Sequence, residues 1–289
     1  MKLNDKCAII TGASQGLGFE IAKQFVQEGA HVMLCARNPV QLREAAFELS
    51  KLAQGKTKVI AKPADVSQLD QVQALVQETL NELGRIDILV SNAGVYGTKG
   101  PIDEVDWDDW SQAVDINLKG SVLLCKFVLP YMKIARSGKI IFLSGGGATK
   151  PLPFLSAYAA SKAAVVRFAE TLAEEVRPFN IEVNSVAPGA LNTRLLNEVL
   201  EAGPEKVGQS FYDQSLKQQA NGGTALDVGA SLCVFLASQF SNGVTGRLIS
   251  AVWDPWEKLP NYVTEMNKTD IYTLRRIVPE DRGKSWSEA

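Results

Sequence analysis

Short runs of aliphatic and β-branched residues alternate along the chain with longer segments in which apolar residues recur every three or four positions. The helical period is clearest where Leu69, Val72 and Val76 mark one apolar face, and Ser67 with Asp70 predicts a capping box at the start of that helix. This alternation predicts an α/β fold, a doubly wound parallel sheet with helices on both faces. Seven strands are predicted, at residues 7–10, 31–36, 58–61, 86–91, 139–144, 181–186 and 247–252.

The composition excludes several classes of protein. Apolar residues make up 46% of the chain and charged residues 21%, and the net charge is -2, so the basic excess that binds nucleic acid or anionic lipid is missing. The longest apolar run, at 232–237, has six residues, whereas a membrane-spanning helix needs ~18 or more. We therefore expect neither a nucleic-acid partner nor a membrane.

The cysteines and the histidine limit the chemistry further. Four cysteines lie far apart in apolar surroundings, which predicts buried thiols in a reducing compartment. The first residues also lack the charged-then-apolar pattern of a secretory signal, so we expect a cytoplasmic protein. His31 is the only histidine, which argues against a multi-histidine metal site and a Ser-His-Asp hydrolase. No metal site is predicted.

The first predicted strand ends in a glycine-rich turn that leads into a predicted helix at residues 19–29. Its glycines, Gly12, Gly16 and Gly18, permit a tight turn and a close approach of the main chain to a ligand. The free N–H groups and the positive end of the following helix stabilise negative charge. The turn therefore predicts a site for the pyrophosphate of a dinucleotide.

Tyr158 and Lys162 stand four residues apart at the start of a predicted helix at residues 157–177, so both side chains emerge on one face. A free tyrosine has a pKa of ~10 and needs nearby positive charge before it exchanges protons near neutral pH. Lys162 supplies such a charge one helical turn away. The pair predicts a general acid and base whose phenol pKa is lowered by the ammonium.

With these motifs in order, the chain resembles the short-chain dehydrogenase/reductase family from residue 5 to about residue 253. The spacing of the glycines is G-x-x-x-G-x-G, the form typical of that family. The other family motifs lie at Asp65-Val66, Asn92-Ala93-Gly94, Asn117, Tyr158 with Lys162, and Pro188-Gly189. The resemblance implies a Rossmann-like fold and hydride transfer between a nicotinamide cofactor and a small alcohol or ketone.

The resemblance also implies roles for individual residues. Tyr158 would exchange a proton with the substrate oxygen, Lys162 would also hydrogen-bond the nicotinamide ribose, and Asn117 would support a water-linked proton path. The residues implied to bind the cofactor are Gly12, Ser14, Gln15, Gly16, Leu17, Gly18, Arg37, Asp65, Val66, Asn92, Ala93, Gly94, Tyr158, Lys162, Pro188, Gly189, Leu191 and Thr193.

One position departs from the family pattern. The catalytic serine of the family usually lies thirteen residues before the tyrosine, where this chain has Gly145. Three explanations are open. Ser144, one residue earlier, is a candidate catalytic donor; the N–H groups of residues 145–147 or the Thr149 hydroxyl could bind the substrate oxygen; or the protein is a catalytically weakened scaffold or sensor that keeps the nucleotide site.

The end of the second predicted strand bears on the choice of cofactor. The sequence there is Cys35-Ala36-Arg37, with no acidic side chain to accept from a free ribose 2′-hydroxyl. A guanidinium at this position pairs with a 2′-phosphate. NADP is therefore favoured, and NAD stays possible because Gln15 stands where many NADP-dependent members of the family carry a second basic residue.

Two regions break the alternation. Residues 190–224, punctuated by glycines, are expected to form a mobile insertion and a candidate substrate lid. Residues 254–289 are rich in proline and charge and do not look like core, so we predict one catalytic domain at 1–253 and a C-terminal extension of unknown role. Trp256 and Trp286 in this extension are open to three interpretations: contact with a neighbouring subunit, stacking on a sugar-like substrate, or packing on the protein's own surface.

The sequence thus predicts a short-chain NAD(P)-dependent dehydrogenase or reductase acting on CH–OH groups, a homodimer or homotetramer with a small carbonyl or alcohol substrate. Dehydration or epimerisation on the same fold is a further alternative. The substrate stays open among ketoacyl, steroid, polyol and sugar compounds, because specificity would lie in the two irregular regions.

Overall fold

The chain forms a seven-stranded sheet whose neighbouring strands pair in parallel. The computed structural model describes residues 1–286. The strands are β1 (Cys7–Thr11), β2 (His31–Ala36), β3 (Val59–Pro63), β4 (Ile88–Ser91), β5 (Gly138–Leu143), β6 (Ile181–Ala187) and β7 (Arg247–Ser250). They lie in the order β3-β2-β1-β4-β5-β6-β7, so the winding reverses between β1 and β4. In doubly wound sheets this reversal opens the crevice in which ligands bind.

Helices cover both faces of the sheet, which confirms the predicted fold class. The helices are α1 (Gly16–Gln27), α2 (Pro39–Ser50), α3 (Leu69–Leu83), α4 (Trp107–Val114), α5 (Gly120–Ala135), α6 (Ser156–Val176), α7 (Arg194–Ala202), α8 (Pro204–Val207), α9 (Gln209–Ala220), α10 (Leu226–Ala237) and α11 (Val263–Met266). Helices α1, α2 and α10 contribute to the core on one face, and α3, α5 and α6 to the core on the other.

Side chains of successive strand residues pack alternately into these two cores. Ile10 and Leu34 belong to the core beside α1, whereas Ile9 and Met33 belong to the core beside α3. This follows from the strand geometry, in which neighbouring side chains point to opposite faces. Because both faces are buried, the central strands are continuous apolar runs, and this is why the sequence located all seven strands to within two residues at each end.

The start of α3 differs from the prediction. Ser67 does not cap the helix: its hydroxyl donates to Asp65 Oδ1 at 2.7 Å, and its N–H donates to the same oxygen at 2.9 Å. The N-cap residue is Gln68, which makes no side-chain capping bond. A carboxylate is a stronger acceptor than the hydroxyl, so Asp65 organises this turn in place of a capping box.

Residues 190–224 form α7, α8 and α9 and return to their starting point. The Thr224 N–H donates to Ala190 O at 2.7 Å, which closes the base of the insertion. Glu198 on α7 pairs with Lys99, in the loop after β4, at 3.7 Å. The insertion is therefore helical and tied to the body of the protein at this ion pair; its role as a lid stays a prediction.

The C-terminal extension joins the core, contrary to the expectation from its composition. Leu259 and Met266 are 3% exposed and belong to the same core as α10. Trp256 packs on Phe235 of α10 with ring centres 5.2 Å apart, which is the third of the interpretations left open by the sequence. Trp286 is 75% exposed. Residues 287–289 of the predicted extension lie outside the described residues.

The extension also covers the free edge of β7. The Leu248 N–H donates to Tyr272 O at 2.8 Å, and the Ser250 N–H donates to Asp254 Oδ2 at 2.6 Å. The side chain of Arg247 is buried and donates to main-chain carbonyls of the extension, those of Met266, Thr269 and Ile271. A guanidinium with several donors thus fixes a segment that has little regular structure of its own.

Three further features bear on the predicted classes. All four cysteines are buried and unpaired. Across residues 1–286, no cluster of three or more His, Cys, Asp or Glu side chains has the arrangement of a metal site. Within the same part of the chain, no helix combines the length and the apolar character needed to cross a bilayer.

Candidate active site

A cleft of about 1260 Å³ lies at the carboxyl ends of the strands, above the reversal between β1 and β4. It extends from the glycine turn past the residues around Gly145 to the insertion after β6. Every predicted cofactor-binding residue lines it, together with the catalytic candidates Ser144, Tyr158 and Lys162. Asn117 is the exception, because it lies buried behind the wall of the cleft.

The glycine turn is shaped as a phosphate site. Gly12 and Gly16 have positive φ angles of 65° and 59°, which favour glycine. A Cβ at Gly18 would lie well inside 3.0 Å of Gly12 O, so the start of α1 packs directly on the turn. Gln15 at the N-cap makes no side-chain capping bond, which leaves the first N–H groups of α1 for a ligand. The residues present therefore fit the pyrophosphate of a dinucleotide.

The end of β4 supports this turn from below. Asn92 Nδ2 donates to Thr11 O at 2.8 Å and to Gly12 O at 3.2 Å. In return, the Thr11 hydroxyl oxygen accepts the N–H groups of Asn92 and Ala93 at 3.0 and 3.1 Å. These four hydrogen bonds fix the shape of the glycine turn from the end of β4.

Two charged residues mark the end of the cleft that lies above β2 and β3. Arg37 follows β2, is exposed and forms no ion pair with any residue between 1 and 286. Asp65 follows β3, and its carboxylate is held by Ser67. Asn38 caps α2 by accepting from Val40 N at 2.9 Å. The guanidinium of Arg37 is thus the free charge at this end of the cleft.

Asn117 fixes the segment that follows β4. It lies in a π-helical turn, Asp115–Lys119, between α4 and α5. Its Oδ1 accepts from Val95 N and its Nδ2 donates to Val95 O, both at 2.9 Å. The Nδ2 group also donates to Ser161 Oγ at 2.9 Å, on α6 one residue before Lys162. Such turns are frequent at functional sites, and this one joins the loop after β4 to the helix that carries Tyr158.

Tyr158 and Lys162 lie on one face of α6, as their spacing predicts. Lys162 Nζ is buried, donates to Leu143 O at 2.7 Å and lies 5.8 Å from the centre of the Tyr158 ring. Burial lowers the pKa of Lys162 to about 8. Burial also raises the pKa of Tyr158, with a smaller contribution from Tyr96.

The expected lowering of the Tyr158 pKa by Lys162 was therefore wrong for the protein alone. The ammonium is directed at the Leu143 carbonyl, and the loss of water around the phenol outweighs the attraction of a cation at this distance. The phenol keeps its proton at neutral pH unless further positive charge is brought into the cleft.

The surroundings of Gly145 explain how the site is built without the family's serine. A Cβ at this position would lie well inside 3.0 Å of the Tyr158 hydroxyl and 3.1 Å from Cζ, so the phenol takes the space of the missing side chain. Ser144 Oγ is fully buried and has no hydrogen-bond partner within residues 1–286. Gly146 and Thr149 line the cleft and are exposed.

Sequence reasoning missed several residues of the cleft. Tyr96 lies two residues after the Asn92-Ala93-Gly94 motif, and its ring centre is 4.6 Å from that of Tyr158 at an interplanar angle of 63°. The other missed residues include Leu152, Phe211 and Trp253. Its place in the loop that follows β4, close behind the Asn92-Ala93-Gly94 motif, was the one signal that could have pointed to Tyr96.

Comparison with known proteins agrees with this geometry. The family model described as short chain dehydrogenase matches residues 6–203. The 3-oxoacyl-[acyl-carrier-protein] reductase FabG of Chlamydia muridarum (strain MoPn / Nigg) is 35% identical over 250 residues, which cover 86% of this chain and 96% of the relative.

Two of the similar solved structures contain a nicotinamide cofactor. An NAD+-bound xylitol dehydrogenase has a TM-score of 0.79 at 25% identity, covering 86% of this chain and 98% of its own. An actinorhodin polyketide ketoreductase with NADPH has a TM-score of 0.77 at 27% identity, covering 85% and 95%. The fold, the motifs and these similarities together show that the chain belongs to the short-chain dehydrogenase/reductase family.

Proposed function

We propose that the protein is an NADP(H)-dependent oxidoreductase that transfers a hydride between the cofactor and a small alcohol or ketone. One observation carries the proposal: a single cleft contains a glycine turn shaped for a pyrophosphate and, at its other end, a buried tyrosine and lysine on one helix face. A bound nicotinamide cofactor would supply the hydride.

The residues of the chain would handle the proton. In carbonyl reduction, hydride adds to the carbonyl carbon while the Tyr158 phenol gives its proton to the oxygen, leaving a phenolate that later regains a proton from water. Lys162 places a positive charge 5.8 Å from the ring that carries this negative charge. Burial raises the pKa of Tyr158, so the phenol carries the proton that carbonyl reduction requires.

Arg37 supports NADP(H) over NAD(H). It lines the cleft directly after β2 and has no acidic partner in the described part of the chain, so it is free to pair with a 2′-phosphate. A hydrogen bond to a charged group contributes roughly 1.5–3 kcal/mol, and exposure to solvent reduces this. We expect about 1 to 2 kcal/mol, or roughly 5- to 30-fold tighter binding of NADPH than of NADH.

The test combines binding and turnover. Fluorescence titrations with NADPH and with NADH should show the tighter binding of NADPH. Arg37→Gln should remove most of this difference while leaving NADH binding unchanged. Wild-type protein should oxidise NADPH with at least one member of a panel of ketoacyl, steroid, polyol and sugar carbonyls, and Tyr158→Phe should not. Failure to bind either dinucleotide would refute the proposal.

Gly145 favours a second candidate, a nucleotide-binding scaffold or sensor without turnover. Loss of one donor to a reacting oxygen costs about 10²- to 10³-fold in rate elsewhere. The same experiment separates the two candidates: tight NADPH binding with equal, background rates for wild type and Tyr158→Phe would identify the scaffold.

A further inference from the structure

Tyr96 and Gly145 together define where the Tyr158 phenol lies. The Tyr96 ring packs edge-to-face on the Tyr158 ring, with ring centres 4.6 Å apart. At the other end of the phenol, the space that a side chain at position 145 would occupy is filled by the Tyr158 hydroxyl, with Cζ at 3.1 Å and Cε1 at 3.3 Å from the position of the absent Cβ.

These distances leave a side chain at 145 no room beside the phenol in its present position. Carbon atoms in van der Waals contact lie roughly 3.5–4.0 Å apart. A Cβ at 145 would therefore displace the phenol, and the edge-to-face packing on Tyr96 is the ring contact of Tyr158 that this displacement acts against. The large residue at 96 and the absence of a side chain at 145 therefore both depend on the same position of the Tyr158 phenol.

The main chain leading to Tyr96 is held by the Asn117 side chain. Both polar groups of the preceding residue, Val95 N–H and Val95 C=O, are bonded to the Asn117 side chain at 2.9 Å. Beyond Tyr96, the Lys99 ammonium lies 6.0 Å from the centre of its ring and pairs with Glu198 of α7. The Tyr96 ring is therefore positioned by contacts of the residue before it and by contacts of Lys99 after it.

The main chain at positions 145 and 146 also offers donors to the cleft. The N–H groups of Gly145 and Gly146 donate to no acceptor within residues 1–286, and both residues line the cleft. A phenol held against this stretch would bring a substrate oxygen close to donors that need no hydroxyl.

We propose that Tyr96 is a positioning residue for Tyr158, and that it holds the phenol against the bare main chain at Gly145 so that the N–H groups of residues 145 and 146 replace the family's serine. This rests on the proposed oxidoreductase function. Its structural half, the coupling between positions 96 and 145, stands independently of any turnover.

The test is a double-mutant cycle with Tyr96→Leu, Gly145→Ser and the two combined, measured by urea unfolding and by steady-state turnover with NADPH. Gly145→Ser alone should lower the midpoint of unfolding and lower kcat at least tenfold. In the Tyr96→Leu background the same serine should be tolerated, and the double variant should recover at least tenfold in kcat over Gly145→Ser.

Two further measurements separate positioning from a general loss of structure. Tyr96→Leu should lower kcat at least tenfold while the Kd for NADPH stays within twofold, and Tyr96→Phe, which keeps the ring, should recover most of that loss. As a matched control, Phe211→Leu removes another aromatic ring from the cleft, one that has no ring contact with Tyr158, and should combine additively with Gly145→Ser.

The outcomes distinguish this inference from the proposed function. If wild type turns over no carbonyl but the unfolding midpoints show coupling between positions 96 and 145, the oxidoreductase proposal fails and the packing of Tyr158 by Tyr96 is supported. If the effects of Tyr96→Leu and Gly145→Ser are additive in both measurements, the positioning role is overturned even in an active enzyme.

Discussion

The burial of Lys162 makes the stability of the protein depend on pH in a calculable way. Its pKa is about 8 in the folded protein and 10.5 ordinarily, because burial penalises the ammonium. Between these two values the unfolded chain binds more protons at this site than the folded chain does, so the free energy of unfolding rises with pH. At neutral pH the buried ammonium therefore destabilises the fold. The lowering of its pKa from 10.5 to about 8 corresponds to about 3 kcal/mol, because one pKa unit is ~1.4 kcal/mol.

Replacing Lys162 by methionine keeps much of the side-chain length and removes the charge. The variant loses the hydrogen bond to Leu143 O, which costs about 1–3 kcal/mol at every pH. At pH 7 the gain and the loss offset each other in part, and we expect a variant as stable as wild type or up to about 2 kcal/mol more stable. Near pH 10.5 the gain has disappeared, and the variant should be about 1–3 kcal/mol less stable.

Urea unfolding of both proteins between pH 7 and pH 10.5 measures this difference, and titrations common to both proteins cancel. Lys126→Met, at an exposed position on α5, is the matched control and should show a difference that does not change with pH. A difference that is equally flat for Lys162→Met would refute the reasoning. Under the proposed function the variant should also fail to turn over substrate, so stability and activity would change in opposite directions at neutral pH.

Three other changes test the structure at separate points. Gly18→Ala introduces a Cβ against Gly12 O and should weaken NADPH binding at least tenfold in a fluorescence titration, whereas Gln27→Ala at the exposed end of α1 should not. Arg247→Ala removes the donors that hold the extension and should lower the free energy of unfolding by about 2–4 kcal/mol; a loss no larger than that of an exposed arginine would contradict this role. Asn117→Ala removes the hydrogen-bond partner of both main-chain polar groups of Val95, the residue that precedes Tyr96. Urea unfolding should show a free energy of unfolding lower by about 2–3 kcal/mol, and turnover should show a lower kcat.

The sequence predicted most accurately those features that depend on neighbours in the chain. Strands β1, β2, β4 and β5 are largely apolar because both faces of the sheet are buried there. The turn containing Gly12, Gly16 and Gly18 is visible because each glycine serves a local conformation or a close contact. Tyr158 and Lys162 share a face because of helical geometry alone. The largest error in a stated boundary is at α1, which begins at Gly16, three residues before its predicted start, because two of the glycines are helical.

Features that depend on distant parts of the chain escaped prediction. The importance of Tyr96 follows from the absence of a side chain at Gly145, which lies on another strand end, and no local pattern connects the two. The pKa of Tyr158 depends on how much water the cleft excludes, which spacing does not reveal. Likewise, Leu259 and Met266 reach the core from a segment without periodicity, because the side chain of Arg247 anchors it.

The covered edge of β7 has a consequence for how copies of this chain can assemble. An outer strand with free N–H and C=O groups is a template on which the sheet of a second molecule can continue. Here the N–H groups of Leu248 and Ser250 are already bonded to Tyr272 and Asp254. With the extension docked, a two-fold axis that would merge two sheets through their β7 edges into one of fourteen strands is blocked.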